Sequence, residues 1–176
     1  MTSQSGHSPL AAPGALTLRP EQPGDEAFLL EAFASTRQEE LALTNWDAAT
    51  RAAFIASQFQ AMRAGYASMF PGGEFSIILL AGQPIGRLVV HRAAGEIHVV
   101  DMILLPEFCS RGIGRRLMDG LMAEAETGGK IISLHVLKMN RAIRFYTRLG
   151  FVKTGDDGPY DKMEWRPPAI SAWPAG

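Results

Sequence analysis

One stretch of this chain constrains its fold more than any other: a long strand that turns into an amphipathic helix, which in turn leads into another strand. Glu96 to Leu105 is a long strand stopped by Pro106, and Arg111 to about Thr127 carries Ile113, Leu117, Leu121 and Ala125 on one helical face. Gly128 and Gly129 end that helix, and Ile131–Leu137 is the next strand-sized apolar run. A strand, a crossover helix and a strand form a βαβ unit, with the two strands parallel in one sheet and the helix on its face.

The flanking segments supply the rest of the sheet. Ala15–Arg19 is a short strand ended by Pro20. Asp25 caps a helix through roughly Thr36, with Phe28, Leu29, Ala32 and Phe33 as its apolar stripe. Asp47 caps a longer helix in which Ile55, Phe59, Met62 and Tyr66 recur at helical spacing, a pattern that reads as core. Glu74–Ala81 and Pro84–Arg92 flank the Gly82-Gln83 turn as an antiparallel hairpin, and Ala94-Gly95 turns the chain into the long strand. Downstream, Asn140–Leu149 is helical, Gly150 terminates it, and Phe151–Gly155 and Tyr160–Trp165 are closing strands. The order β-α-α-β-β-β-α-β-α-β-β predicts an α/β (α+β) fold: a mixed, mostly antiparallel seven-stranded sheet with helices on both faces.

Composition sets the outer bounds. With 47% apolar and 20% charged residues over 176 positions, one domain with a sizeable core is expected, spanning 15–166. Residues 1–14, rich in Ser, Gly, Pro and Ala, are expected to be a loose leader, and 167–176 an irregular, proline-rich tail. A net charge of -1 gives no general attraction to nucleic acid or to an anionic membrane, and neither partner is expected. Cys109 is the only cysteine, so no intrachain disulfide forms, a four-cysteine zinc site is excluded, and no metal is expected. The first residues have neither a basic start nor an apolar run, and no apolar stretch is long enough to span a bilayer; a cytoplasmic location is the expectation.

The turn between the long strand and its helix, Cys109-Ser110-Arg111-Gly112-Ile113-Gly114-Arg115, carries the first chemical signal. The first turn of a helix presents unpaired N–H groups and a positive dipole end, a ready site for pyrophosphate. Glycine lets a ligand approach the backbone closely, and Arg111, Arg115 and Arg116 add charge. No Gly-Lys-Ser/Thr string of a Walker loop is present, and Leu117 occupies the third position of a dinucleotide-binding Gly-x-Gly-x-x-Gly.

Here the chain resembles the GNAT family of N-acetyltransferases, whose phosphate motif reads Arg/Gln-x-x-Gly-x-Gly/Ala at the start of a helix. Gly112 and Gly114 match its glycines, while Cys109 departs from the leading Arg/Gln. A second match follows in order: a strand, then Asn140, Ala142 and Tyr146 on a short helix, then Gly150-Phe151 beginning the next strand. The resemblance implies acetyl-CoA as co-substrate and a primary amine of a small molecule, peptide or protein as acceptor. It implies that Tyr146 protonates the departing CoA thiolate and that Asn140 bonds the pantetheine arm. It also implies that the central strands splay, so that backbone groups of Met102, Ile103 and Leu104 pair with pantetheine like an added strand. The turn from Cys109 to Arg115 would hold the pyrophosphate.

An attacking amine must be neutral, so a base or water relay is expected. In the histone-acetylating branch the base lies near the position of His98, a residue whose pKa suits the role. Asp101 is the alternative and Glu96 a third choice. Regular alternation puts His98, Val100 and Met102 on one face and Ile97, Val99 and Asp101 on the other. Arg37, Gln38, Glu39, Glu40 and Trp46 are candidates to line the acceptor site. The closing strands are candidates for a homodimer contact by family habit. The competing reading is a non-catalytic acyl-CoA sensor or partner-binding module of the same fold.

Overall fold

The computed structural model describes residues 14–168, so the expected leader up to residue 13 and the tail from residue 169 lie outside the described residues. Seven strands form one sheet in the order β1-β2-β3-β4-β5-β7-β6. They are β1 (Leu16–Pro20), β2 (Glu74–Leu80), β3 (Gln83–Arg92), β4 (Glu96–Leu104), β5 (Ile131–Leu137), β6 (Val152–Asp157) and β7 (Tyr160–Trp165). Five α-helices accompany them: α1 (Glu26–Ser35), α2 (Gln38–Ala42), α3 (Ala48–Met69), α4 (Ile113–Gly128) and α5 (Ala142–Arg148). Only β4 and β5 run parallel; every other neighbouring pair is antiparallel. The predicted mixed sheet is therefore present, with one more helix than expected. The short α2 was missed because Gln38–Ala42 is too brief to show a hydrophobic period.

Two of the helix starts show how local chemistry works here. Asp47 Oδ1 accepts the Thr50 N–H at 2.7 Å and caps α3 as predicted. Asp25 does not cap α1 with its side chain. It accepts the Gln22 N–H at 2.8 Å and receives both terminal nitrogens of Arg19 at 2.7 Å, so it locks the end of β1 to the turn ahead of α1.

The sheet is covered on both faces, and side-chain alternation separates the two cores. Ile78, Ile85, Leu88, Val90, Ile97, Val99, Ile132, Leu134 and Val136 pack with Ile113, Leu117, Met118 and Leu121 of α4 and with Tyr146 and Leu149 of α5. On the opposite face Ile77 packs with Leu29 and Phe33 of α1 and Ile55 and Phe59 of α3. Each fully buried side chain of this size contributes about 1.5–3 kcal/mol relative to exposure. β3 is buried along Ile85–Val90 because helices cover it from both sides.

A close approach and a bulge shape the centre of the sheet. A Cβ on Gly86 would lie 2.2 Å from the Ile103 carbonyl oxygen, so no larger residue fits where β3 meets β4. Further along, Val89 pairs with Asp101 but Val90 pairs with Val99, which leaves Val100 as the extra residue of a β-bulge in β4. The bulge corrects the face assignment made from regular alternation. Ile97 and Val99 face α4, and so do Met102 and Leu104, whereas His98, Asp101 and Ile103 share the α1/α3 face. One inserted residue shifts the parity of everything after it.

Candidate active site

β4 and β5 are paired only from Glu96 with Ile131 to Val99 with Leu134. Past that point β5 pairs only with β7, and β4 only with β3. The strands part, and the edge of β4 from Asp101 to Leu104 is left without a ladder partner on the β5 side. This is the splay that the resemblance implied, and it brings the Met102, Ile103 and Leu104 backbone to the line of α4.

α4 begins at the end of that opening. Gly112 is its N-cap with φ of 77°, in the left-handed region, and Ser110 before it is also left-handed at 59°. Arg116 N–H is bonded to Gly112 O, leaving the N–H groups of Ile113, Gly114 and Arg115 ahead of the helical ladder. A Cβ on Gly114 would stand 3.4 Å from Phe145 Cζ, so this glycine also lets α4 approach α5. Arg111 and Arg116 have no carboxylate partner among the described residues. Arg111 lies over the Phe108 ring at 5.6 Å, whereas Arg115 is tied to Asp119 at 3.0 Å. Cys109 is exposed, and its Sγ lies 3.6 Å from the Leu105 carbonyl oxygen and 3.7 Å from that of Leu104; it has the environment of a turn residue, with no base beside it.

Tyr146 lies in α5 and is buried between Phe145 and Phe151, with ring centroids at 5.1 and 5.6 Å. Burial pushes its phenol up to about 12, with a further push from the Asp101 carboxylate, so the hydroxyl keeps its proton across the physiological range. Asn140 Oδ1 accepts the Ala142 N–H at 2.8 Å, which orders the start of α5.

Asn140 also lines a cleft of about 440 Å³ on the α1/α3 face, together with Asp101, Met102, Ile103, Phe33, Tyr66 and Tyr160. Of the five residues expected to line the acceptor site, only Arg37 is among its walls. Gln38, Glu39 and Glu40 are exposed on α2, with Glu40 bonded to Arg37 at 3.1 Å, and Trp46 packs edge-on against Phe54. The helical stripe read as core, Met62 and Tyr66, reaches the cleft as well.

The candidate bases differ in environment. Asp101 accepts from Nε of Arg87 at 3.2 Å and from its Nη2 at closer range. Burial raises the Asp101 carboxyl above its usual range, and Arg87 and the Met102 N–H oppose that rise. Arg87 is itself only 2% exposed and also meets Met62 Sδ at 3.5 Å and the Tyr66 ring at 5.7 Å. Sequence reasoning missed Arg87; its signal was a lone charge within the apolar run Ile85–Val90. His98 stacks on Phe70 at 5.3 Å, lies 5.4 Å from His135, and has Nδ1 2.6 Å from Ser133 Oγ. Burial holds its pKa below the ordinary histidine value, helped by His135, so the ring is neutral at pH 7. Glu96 does not face the cleft as a free base, because its carboxylate accepts from Ser133 Oγ. Among the described residues there is no helix long and apolar enough to cross a membrane.

Residues 71–153 match the model of the acetyltransferase (GNAT) domain. No curated protein matches the chain. Among solved structures, the PaiA N-acetyltransferase of Thermoplasma acidophilum, in complex with coenzyme A, superposes with a TM-score of 0.66 at 18% identity, covering 86% of this chain and 99% of that one. An acetyltransferase from Thermus thermophilus gives 0.62 at 20% identity over 86% of this chain and 96% of its own. One from Streptococcus agalactiae gives 0.60 at 16% identity over 86% and 98%. At these identities the likeness is one of fold.

Proposed function

We propose, from the premise that this chain carries a GNAT acetyltransferase domain, that it transfers an acetyl group from acetyl-CoA to a primary amine of a small molecule, peptide or protein by direct attack. The observation that carries the reading is the parting of β4 and β5 after Val99 and Leu134, with the α4 N-terminus at one end of the opening. The unpaired edge of Met102–Leu104 offers backbone groups to the pantetheine amides, and its N–H groups can polarise a thioester carbonyl. The turn from Cys109 to Arg115 offers N–H groups and positive charge to the pyrophosphate. Asn140 can hydrogen-bond the pantetheine arm from the mouth of the cleft.

In the reaction the amine nitrogen attacks the thioester carbon and the C–S bond breaks. Tyr146 donates to the departing sulfur, and its raised pKa keeps the proton in place until then. His98 takes the amine proton, directly or through water. Asp101, which lines the cleft but is held by the buried Arg87 guanidinium, is the alternative base. On this basis residues 15–166 form one acetyltransferase domain in the cytoplasm, with the closing strands β6 and β7 as the candidates for a homodimer contact.

Calorimetric titration with acetyl-CoA, against NADH as control, followed by thiol release over a panel of amines, tests the proposal. Micromolar binding with amine-dependent thiol release is expected; no binding of acetyl-CoA would end the enzyme reading. Cys109 in place of the motif's leading Arg/Gln favours the second reading, an acyl-CoA-binding module without transfer. Tight binding without thiol release from any amine would support that one.

A further inference from the structure

Three residues on two strands form a directed hydrogen-bond chain at the point where β4 and β5 begin to part. His98 and Ser133 face each other in the parallel register, and Glu96 lies two residues back on the same face of β4. His98 Nδ1 is 2.6 Å from Ser133 Oγ, and Ser133 Oγ donates to Glu96 Oε1. Ser133 is fully buried, although it sits in the otherwise apolar strand Ile131–Leu137. An ionised carboxylate only accepts, and a serine has one proton. That proton goes to Glu96, so the Ser133 oxygen accepts, and the hydrogen it accepts is the one on His98 Nδ1.

We infer that Glu96 and Ser133 are positioning residues that fix His98 as the Nδ1–H tautomer, which leaves the Nε2 lone pair free to accept a proton. The tautomer follows from this geometry with Glu96 ionised; what Nε2 does with a proton rests on the acetyltransferase reading. In that step the N–H bond of the acceptor amine breaks, the electron pair stays on its nitrogen, and a new N–H bond forms at Nε2. The Nδ1 proton stays on Nδ1, hydrogen-bonded to Ser133 Oγ, and the Ser133 proton stays on Oγ, hydrogen-bonded to Glu96, so no proton moves along the chain. The Glu96 charge, one hydroxyl away, stabilises the imidazolium that results. That help matters because the other basic groups facing His98, whenever protonated, oppose it: His135 on β5, His91 on β3 and Lys162 on β7. Glu164 of β7, across from Ser133, is committed to Lys162 and Arg166. The flat contact with Phe70 holds the plane of the ring.

The test is long-range 1H–15N NMR of protein labelled with 15N-histidine at pH 8, with His98 assigned through His98→Asn. Wild type is expected to show His98 protonated at Nδ1 by at least about tenfold over Nε2. Ser133→Ala and Glu96→Gln should each shift that ratio toward Nε2–H, and Ser133→Thr, which keeps the hydroxyl on a strand-compatible residue, should restore it. A wild-type His98 protonated at Nε2, or a ratio that Ser133→Ala leaves unchanged, overturns the inference. Where thiol release is measurable, Ser133→Ala should lower kcat about tenfold with little change in KM for acetyl-CoA; an unchanged kcat overturns the catalytic role of the tautomer. Absence of turnover in wild type would count against the proposed function, and the NMR ratio would still decide the tautomer.

Discussion

Arg87 and Asp101 form an ion pair across β3 and β4 at the wall of the cleft, with the guanidinium almost fully buried. Removing one partner of such a pair leaves a buried charge uncompensated, at a cost of about 3–5 kcal/mol. Arg87→Met should therefore lower the unfolding free energy in urea by about that amount, and Arg87→Met combined with Asp101→Leu should recover part of it, since the Glu21 carboxylate, 4.0 Å from Arg87 Nε, still loses its partner. A loss below about 1 kcal/mol in the single variant would mean that Asp101 is hydrated or neutral in the native state.

Tyr146→Phe removes one hydroxyl from a side chain otherwise packed by Phe145 and Phe151. The expected result is a fall in kcat of about 10²–10⁴-fold with acetyl-CoA affinity nearly unchanged. Because its pKa is pushed up to about 12, wild-type activity should show no loss attributable to Tyr146 between neutral pH and about pH 10. Full activity in the phenylalanine variant would remove this residue from the mechanism.

At Gly112 the constraint is conformational. A Cβ there meets nothing within 4 Å, but φ is 77°. Gly112→Ala should cost about 1–2 kcal/mol of stability through left-handed strain. It should also weaken acetyl-CoA binding at least about tenfold, since a shift of the cap re-aims the N–H groups of the first helical turn. Titration calorimetry reads the second effect; unchanged affinity would put the pyrophosphate elsewhere.

The depressed pKa of His98 predicts how stability varies with pH. Above the ordinary value of 6.5, folded and unfolded states both hold the ring neutral. Between 6.5 and the lower folded value the unfolded chain takes up a proton and the folded one does not. Stability then falls as pH drops through that window. Urea melts at pH 7.5 and 5.5 should show a smaller loss in His98→Gln than in wild type. An equal loss would mean that His98 titrates normally.

Much of this was legible in the chain. The strand–helix–strand unit from Glu96 to Leu137, the β2–β3 hairpin and the Asp47 cap follow from short-range patterns: apolar period, turn chemistry and capping act between residues a few positions apart. The hairpin turn itself lies at Ala81-Gly82, one residue before the predicted Gly82-Gln83, because Leu80 pairs with Gln83 and both turn residues take positive φ. The Gly112 and Gly114 turn could be read for the same reason, since its chemistry is that of one helix start. Tyr146 and Asn140 were singled out as members of a local motif; Asn140 lines the cleft, whereas Tyr146 is buried and not among its walls. Tertiary structure decided what depends on the partner strand. The bulge at Val100 is a mismatch with β3, invisible in β4 alone, and it moved His98 and Asp101 onto one face. The burial of Arg87 depends on α3 covering it, and the chain of Glu96, Ser133 and His98 joins residues 35 and 37 positions apart in sequence. Backbone geometry at a turn is set by neighbours in sequence, whereas proton positions and the direction of a side chain on a bulged strand are set by neighbours across the sheet.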